Sequence, residues 1–282
     1  MSRTSTRDTL LELQRRWAED ANIAIDGRGY VASYTANLWK PLSPTAKASF
    51  DLGSGSELWD GKTRPAKMRA LHSSSALAVN VFDYWSVRDS TPMLEALEIG
   101  TAIEPPHFEA QFPTGLEGKP PNLDIAIRLA SGITFAIESK YCEWLTPKSK
   151  SQPPFKAKYF APVPDLWRRA GLPECQGLAD DVQGKVEPFV HLDVPQLLKH
   201  ALGLATNLKQ HFSLCYLYYD WPSPEFETHQ LEVDRFSARV GRELRFRAIT
   251  YQTLFRQLTQ KCGVRDDEYT GYLRSRYFRN AA

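Results

Sequence analysis

The fold of this chain rests on the stretch Pro120-Pro-Asn-Leu-Asp-Ile-Ala-Ile-Arg-Leu-Ala-Ser-Gly-Ile-Thr-Phe-Ala-Ile-Glu-Ser-Lys140. It holds two runs of alternating apolar residues around a short turn that ends in glycine, which is typical of a β-hairpin. A three-residue loop over 130–132, with Gly132 in the left-handed conformation, places Leu129 opposite Ile133. The register of the other pairs then follows by counting outward from the loop.

This register brings two acidic side chains together across the strands. Asp124 is expected opposite Glu138, on the face that carries Ala126 and Ala136, while isoleucines occupy the other face. Residues that face each other in an antiparallel pair have Cβ atoms about 4.5–5.5 Å apart, so the carboxylates repel. A shared proton, a cation or solvation would offset this repulsion. Lys140 follows Glu138 by two positions and shares its face. Such oxygen ligands suit Mg²⁺ or Mn²⁺, and a lysine beside the ion can position water or stabilise phosphate charge.

The same residues resemble the motif of the PD-(D/E)XK nuclease superfamily, whose members have a restriction-endonuclease-like fold. The match consists of Asp124, thirteen intervening residues and Glu138-Ser139-Lys140, with Leu123 where the motif has proline. The resemblance implies that Asp124, Glu138 and the backbone carbonyl of Ser139 ligate a Mg²⁺ or Mn²⁺ ion. It also implies that Lys140 orients or activates the attacking water. The overall layout is similar to that of uncharacterised restriction endonucleases.

Glu109 is a candidate for a further metal ligand. It lies in Phe108-Glu-Ala-Gln-Phe112, which alternates like a strand and leads directly into the hairpin. Many relatives of the superfamily supply another acid from a neighbouring element, although the motif does not fix its position. The alternative is a glutamate that faces outward from its strand.

Gln196 is a candidate for a catalytic residue. The segment Asp193–Gln210 has an acidic cap, an early proline and helical apolar spacing, and it places Gln196, Lys199 and His200 on one side of a helix. Some members of the superfamily place a glutamine-bearing helix beside the metal, where the amide can bind the water or a phosphate. The alternative is a polar stripe that faces solvent.

The order of predicted elements around the hairpin is that of an α/β protein with a mixed central sheet flanked by helices. A strand at 108–112 precedes the hairpin, and a helix at 193–210 and a buried strand at 212–220 follow it. We expect a single nuclease domain over residues 1–282, with a core at about 73–260. An N-terminal helical extension (1–72) and an insertion after the hairpin (about 145–190) complete it.

The extension and the insertion give weaker signals. Thr9-Leu-Leu-Glu12 is typical of a capping box at the start of a helix, and 30–56 is expected to form loops and short strands without a readable function. The insertion interleaves basic and aromatic residues that could clamp a phosphate backbone and stack bases, or else form a surface unit with its own small core. These residues are Lys148, Lys150, Lys156, Lys158, Arg168, Arg169, Phe155, Tyr159, Phe160 and Trp167. Arg274, Arg276 and Arg279 near the C-terminus are further candidates for nucleic-acid contacts.

Composition limits the cellular setting. The chain has 35 Lys and Arg against 33 Asp and Glu, so any nucleic-acid surface must be local. Its four cysteines form no CxxC pair, no apolar run approaches the length of a membrane span, and the N-terminus lacks the apolar core of a signal peptide. We therefore expect a cytoplasmic protein with reduced cysteines and no membrane contact.

The predicted function is metal-dependent hydrolysis of phosphodiester bonds by a DNA endonuclease of restriction or defence type, and a homodimer is the expected assembly. Two other functions remain open. The first is a nucleic-acid-binding module with an inactive site, and the second is a metal-free hydrolase that uses Asp124 and Glu138 as its acid pair. The hairpin itself also has a plain interpretation as a surface element with solvated charges.

Overall fold

A computed structural model describes residues 5–53, 55–148 and 153–279. Its strands are β1 (His107–Gln111), β2 (Asn122–Arg128), β3 (Thr134–Lys140), β4 (Phe212–Tyr218) and β5 (Arg247–Thr250). Its helices are α1 (Thr6–Asp20), α2 (Pro44–Leu52), α3 (Ser74–Phe82), α4 (Thr91–Ala96), α5 (Leu166–Arg169), α6 (Pro173–Gln183), α7 (Val194–Leu208), α8 (Pro224–Leu244), α9 (Tyr251–Lys261) and α10 (Asp267–Arg276). Short 3-10 helices lie at Tyr34–Asn37, Lys67–Arg69, Asp83–Val87, Glu143–Leu145, Ala157–Tyr159 and Val264–Asp266.

The five strands form one mixed sheet in the order β1-β2-β3-β4-β5. Strands β1, β2 and β3 are antiparallel neighbours, whereas β4 and β5 run parallel to β3. Helices α3, α7, α8 and α9 pack against the sheet. This architecture confirms the predicted α/β class with a mixed central sheet flanked by helices.

The hairpin has the predicted register. Its pairs run from Ile125 with Ile137 to Arg128 with Thr134. Gly132 in the loop has a φ of +80°, a conformation that costs glycine little. Counting from the glycine turn therefore gave the correct pairing of the two strands.

The interpretation of this hairpin as a solvated surface element is wrong. Strand β3 is third of five, and Thr134, Ala136 and Glu138 are buried along with Phe135 and Ile137 at the alternate positions. Burial on both faces arises because β4 adds a parallel neighbour and helices cover the sheet on both sides. The acids of the hairpin consequently lie inside the protein rather than on its surface.

Two predictions for the N-terminal extension are wrong. Helix α1 begins at Thr6, with Ser5 accepting a hydrogen bond from the backbone N–H of Asp8, so Thr9 lies inside the helix and does not cap it. Residues 44–52 form helix α2, which packs against β1, rather than loops and strands. Ser43 caps this helix and Pro44 occupies its first position, and both are favourable at the start of a helix. The glycines and prolines around this segment led instead to the prediction of loops.

Three aromatic residues of the insertion belong to the main core. Phe155, Tyr159 and Trp167 are buried against one another, with ring centroids 5.5–5.9 Å apart, and they are part of the hydrophobic core that contains the sheet. These three rings are therefore not available to stack on bases, and the alternative of a unit with its own separate core is wrong for them as well. The basic side chains Lys156, Arg168 and Arg169 remain exposed. Residues 149–152, and with them Lys150, lie outside the described residues.

Within the described ranges, no helix has both the length and the apolar character needed to span a bilayer. All four cysteines are free thiols. The division into core, extension and insertion, and the single nuclease domain, remain predictions.

Helix α7 approaches the sheet very closely at Gly203. A methyl group at this position would lie 2.3 Å from the carbonyl oxygen of Phe112. We predict that Gly203→Ala lowers the free energy of unfolding by about 1–3 kcal/mol, because the helix must move away from that backbone.

Gly271 in α10 is the matched control, since a methyl group there meets no atom within 4 Å. Gly271→Ala should stabilise the protein by about 0.5–1 kcal/mol in urea unfolding. Equal effects of the two changes would contradict this packing.

His229 makes stability depend on pH. The side chain is fully buried, its ring is stacked on Trp144, and its Nε2 lies 2.9 Å from the Tyr216 hydroxyl. Burial lowers its pKa from 6.5 to about 3. Between these values the unfolded chain binds a proton that the folded chain does not, so stability falls as the pH decreases below 6.5.

We therefore predict that protonation of His229 in the unfolded chain lowers the free energy of unfolding of the wild type by about 1.4 kcal/mol for each pH unit below pH 6. The variant His229→Gln should lack this contribution. Urea unfolding at pH 7.5, 6.5, 5.5 and 4.5 measures it. His211→Gln, a change at an exposed histidine, is the control and should leave the pH profile unchanged. Parallel profiles for wild type and His229→Gln would refute the prediction.

Candidate active site

A cleft of about 600 Å³ opens beside the carboxyl end of β3. Four of the predicted site residues line it, namely Glu109, Asp124, Lys140 and Gln196. The other two, Glu138 and Ser139, are each 1% exposed and lie on the same strand as Lys140. All six residues predicted from the sequence are thus in or directly beside one cavity.

The hairpin positions the two acids and the lysine through short contacts. Lys140 Nζ lies 2.5 Å from Glu138 Oε1. Asp124 Oδ2 accepts a hydrogen bond of 2.6 Å from the backbone N–H of Ser139. The Ser139 hydroxyl lies 2.6 Å from the hydroxyl of Tyr251, at the start of α9. The strand that carries Glu138 and Lys140 is therefore fixed both by its neighbour in the hairpin and by a helix behind it.

The charges in this cluster are unbalanced. Burial and the negative charge of Glu138 raise the pKa of Asp124 well above its ordinary value. Burial alone would also raise the pKa of Glu138, but Lys140 and His200 outweigh it and lower that pKa to about 2. Desolvation works against the charged form of Lys140 too, yet Glu138 and Asp124 together raise its pKa. The charge of Lys140 thus compensates that of Glu138, and Asp124 remains without a full counter-charge.

Glu109 adds a third carboxyl group to the cleft. Burial and the nearby charge of Glu57 raise the pKa of Glu109 to about 7. Asn122 donates a hydrogen bond to Glu109 Oε2. Within strand β1, Glu109 has a φ of +49°, a left-handed conformation that costs energy for a residue with a Cβ atom. Backbone strain of this kind is concentrated at functional sites, and the alternative of an outward-facing Glu109 is wrong because its side chain is buried.

Sequence reasoning missed a fourth carboxyl group. Glu57, which lies in the N-terminal extension and was not among the predicted site residues, is 6% exposed and lines the cleft. Its Oε1 accepts a hydrogen bond of 2.8 Å from Lys67 Nζ, and its Oε2 accepts one of 2.7 Å from the Ser75 hydroxyl. No periodic pattern surrounds Glu57, so only the folded structure reveals its proximity to Glu109.

Helix α7 contributes two residues to the site. Asp193 caps the helix by accepting a hydrogen bond of 3.0 Å from the backbone N–H of Gln196, which lies at the cleft. One turn further, His200 is buried with its Nε2 at 3.0 Å from Glu138 Oε2. The sequence placed His200 on the same side as Gln196 but gave it no function. The spacing of four residues between Gln196 and His200 places both side chains on one side of a helix, and this spacing was the sequence feature that could have identified His200 as a site residue.

One predicted nucleic-acid contact is wrong. Arg276 is 3% exposed, lies over the ring of Trp17, and donates to the carbonyl of Asn37. Its helix covers the N-terminal extension on this side, so its guanidinium cannot reach a nucleic acid. Arg274 and Arg279 are exposed.

The donor chemistry of the cleft suits a hard divalent cation. Asp124, Glu138, Glu109 and the carbonyl of Ser139 offer oxygen ligands, and their carboxyl groups exceed the positive charge beside them. Among the described residues no three acidic, histidine or cysteine side chains converge closely enough to ligate one ion. The reason is visible at Glu138, whose two oxygens face Lys140 and His200. The ligand types fit the ion, although the side chains do not form a ligand cage.

The charge imbalance predicts opposite effects for Asp124→Asn and Lys140→Met in the presence of a chelator. Asparagine can still accept the hydrogen bond from Ser139 but carries no charge, so Asp124→Asn should stabilise the protein by about 1–3 kcal/mol. Lys140→Met leaves Glu138 buried without its cation and should cost about 3–5 kcal/mol. Urea unfolding at pH 7.5 measures both changes.

The exposed pair of Lys47 and Asp51 on α2, 2.6 Å apart, provides matched controls. Lys47→Met and Asp51→Asn should each change stability by less than about 1 kcal/mol. A destabilisation by Asp124→Asn as large as that by Lys140→Met would contradict the proposed imbalance.

Comparison with known proteins places the chain in a family. A family model described as restriction endonuclease associating with ARP matches residues 11–278. No curated protein and no solved structure matches the chain. The matched region contains all the strands of the sheet and every residue of the cleft named above. The mixed sheet with its helices is a restriction-endonuclease-like fold, and the chain belongs to the family of restriction endonucleases associating with ARP.

Proposed function

We propose that this protein is a nuclease that hydrolyses phosphodiester bonds in DNA with the help of Mg²⁺ or Mn²⁺. The observation that carries the proposal is the cluster of Asp124 on β2 with Glu138 and Lys140 at the end of β3, where two carboxyl groups lie near one lysine beside an open cleft. A structural ion pair needs only one acid for one lysine. The additional carboxyl groups support a site that receives a cation.

The proposed ligands are Asp124, Glu138, the backbone carbonyl of Ser139 and Glu109. Glu57 would support Glu109 from the extension, since the two carboxyl groups already influence each other. A bound divalent ion would supply positive charge and lower the pKa of a coordinated water. Its charge would also offset the repulsion that raises the pKa of Asp124 and Glu109.

Lys140 and Gln196 are proposed to act on the water and the phosphate. Lys140 stays protonated beside Glu138 and can donate hydrogen bonds to a water or to a phosphate oxygen. In this role it orients the water and neutralises charge that develops on the phosphate. Gln196 enters the cleft from α7 and can donate to the same oxygen atoms through its amide. His200 holds the far side of Glu138 and is a positioning residue.

The biological setting is proposed from the family. We infer an endonuclease of restriction or defence type that acts in the cytoplasm on DNA, and a homodimer is the proposed assembly. The family description also names an association with ARP, so we propose that this chain works together with such a partner.

Incubation with supercoiled and linear DNA plus Mg²⁺ or Mn²⁺ tests the function. We expect cleavage by the wild type and a loss of about 10²–10³-fold or more with Asp124→Asn or Lys140→Met, because each change removes a charged group that acts on the reacting phosphate. Gln196→Ala should reduce the rate less, since it removes one neutral hydrogen bond.

Lys47→Met, remote from the cleft, is the control and should cleave like the wild type. Equal cleavage by the wild type and Asp124→Asn would exclude this site. Binding of DNA without metal-dependent cleavage would favour the nucleic-acid-binding module, and hydrolysis of another substrate that persists in a chelator would favour the metal-free carboxylate hydrolase.

A further inference from the structure

The catalytic cleft has a second wall, which the N-terminal extension supplies. Its lining includes Arg7 from α1 and His72, which lies just before α3. Both side chains are half-buried, and the function proposed above assigns no role to either of them. Ligand sites typically contain a few polar groups that fix the orientation of the ligand. Both residues are therefore candidates for contacts with the substrate.

Arg7 is the cation of the cleft that lacks a carboxylate partner. Among the described residues, three cationic side chains line the cavity, namely Arg7, Lys67 and Lys140. Lys67 pairs with Glu57, and Lys140 pairs with Glu138. Arg7 forms no ion pair, and no hydrogen bond with an oxygen atom, within the same residues. A guanidinium carries five N–H donors and stays charged, so that of Arg7 is available to an anion.

The nitrogen atoms of both side chains are accessible from the cleft. In the described part of the chain, neither Arg7 nor His72 has an unpartnered nitrogen atom that is shielded from solvent. The imidazole of His72 contacts the ring of Tyr30 edge-on, with centroids 6.4 Å apart, and forms no hydrogen bond with a described residue. A ligand in the cleft can therefore reach the guanidinium and the imidazole together.

Arg7 lies close to the end of β3. Burial lowers the pKa of His72, and the charge of Arg7 lowers it further. Burial raises the pKa of the Cys142 thiol to about 12, and Arg7 acts against this rise. Its influence on both groups places the guanidinium near each of them. Because Cys142 follows Lys140 by two residues, Arg7 lies just past the end of β3, beside the proposed reacting centre.

A purely structural function for Arg7 would be to neutralise a carboxylate of the cleft. Glu143 also lines the cleft, but its Oε2 accepts a hydrogen bond from the backbone N–H of Tyr141. Within the described ranges, Arg7 forms an ion pair with none of Glu143, Asp124 and Glu109. An arginine that leaves these acids unpaired is available for an anion that enters the cleft. For a nuclease, that anion is a phosphate of the DNA backbone.

We propose that Arg7 and His72 bind the phosphate that directly adjoins the scissile phosphate in the DNA strand. The guanidinium can donate two parallel hydrogen bonds to phosphate oxygens, which fixes the position of the phosphate as well as balancing its charge. The neutral imidazole can add a third donor. The inference rests on the proposed function, because it takes the scissile phosphate to lie beside Lys140. It gives the N-terminal extension the task of holding the strand in position.

DNA binding without cleavage is the first test. The reference is the full chain with Asp124→Asn, and a labelled duplex is titrated by fluorescence anisotropy in the presence of a chelator. Adding Arg7→Gln should weaken binding about tenfold, because a charge-assisted contact is lost. It should also reduce the slope of log Kd against log salt concentration by about one. Arg16→Gln, at an exposed residue of the same helix outside the cleft, should bind like the reference.

Cleavage of duplexes that each carry one uncharged methylphosphonate locates the contact. The protein with Asp124 intact cuts them with Mg²⁺, and each cut is mapped relative to the modified position. We expect cleavage to slow about tenfold when the methylphosphonate adjoins the cut. Arg7→Gln and His72→Gln should cleave more slowly in general but show no further loss at that position, because the contact is already absent. Arg7→Lys, which keeps the charge without the fork, should restore part of the rate.

The two tests separate this inference from the proposed function. A general loss of folding would slow cleavage equally at every position, so the missing loss at one position reports the contact itself. Binding by Arg7→Gln equal to that of the reference, or losses that add at every position, would overturn the inference and leave the nuclease proposal in place. Absence of both DNA binding and metal-dependent cleavage would overturn the two together.

Discussion

The closeness of the Asp124 and Glu138 carboxyl groups beside a single lysine is the constraint on which the rest of this structure depends. Asp124 and Glu138 lie on neighbouring strands, and Lys140 contacts Glu138 while its charge also favours the ionised form of Asp124. Such an arrangement is unfavourable unless the backbone holds it in place. Here the backbone is held by the hydrogen bond from Ser139 to Asp124, by β4 alongside β3, and by Tyr251 behind Ser139. The mixed sheet is therefore the scaffold that keeps like charges together.

The parts that the sequence predicted are those with strong local signals. The hairpin register follows from a glycine turn and a period of two, both of which act over a few residues. Helix α7 begins where Asp193 and Pro195 indicate. The apolar run after α7 forms the parallel strand β4. Local geometry fixes each of these elements, and the motif then places Asp124, Glu138 and Lys140 on one cleft.

The parts that the sequence did not predict depend on contacts between distant segments. Glu57 meets Glu109 only because α2 packs on β1, and about fifty residues separate the two acids. The aromatic residues of the insertion resemble a nucleic-acid surface by composition, yet Phe155, Tyr159 and Trp167 are buried in the main core, where Trp167 donates a hydrogen bond to the carbonyl of Leu198 in α7. The burial of Thr134 and Ala136 likewise depends on β4, which follows some seventy residues later. Periodicity shows which residues share a face, but it does not show what covers that face.

The charge balance of the cleft connects these distant contributions. Four carboxyl groups meet there, from the buried Glu57, Glu109 and Glu138 and the half-buried Asp124, whereas two lysines pair with them, Lys140 with Glu138 and Lys67 with Glu57. The two carboxyl groups with no lysine partner, Glu109 and Asp124, are the two whose pKa is raised. When all four are ionised, the cluster carries two negative charges in excess. A divalent cation is the smallest single species that neutralises this excess, and for that reason the extension and β1 belong to the same proposed metal site as the hairpin.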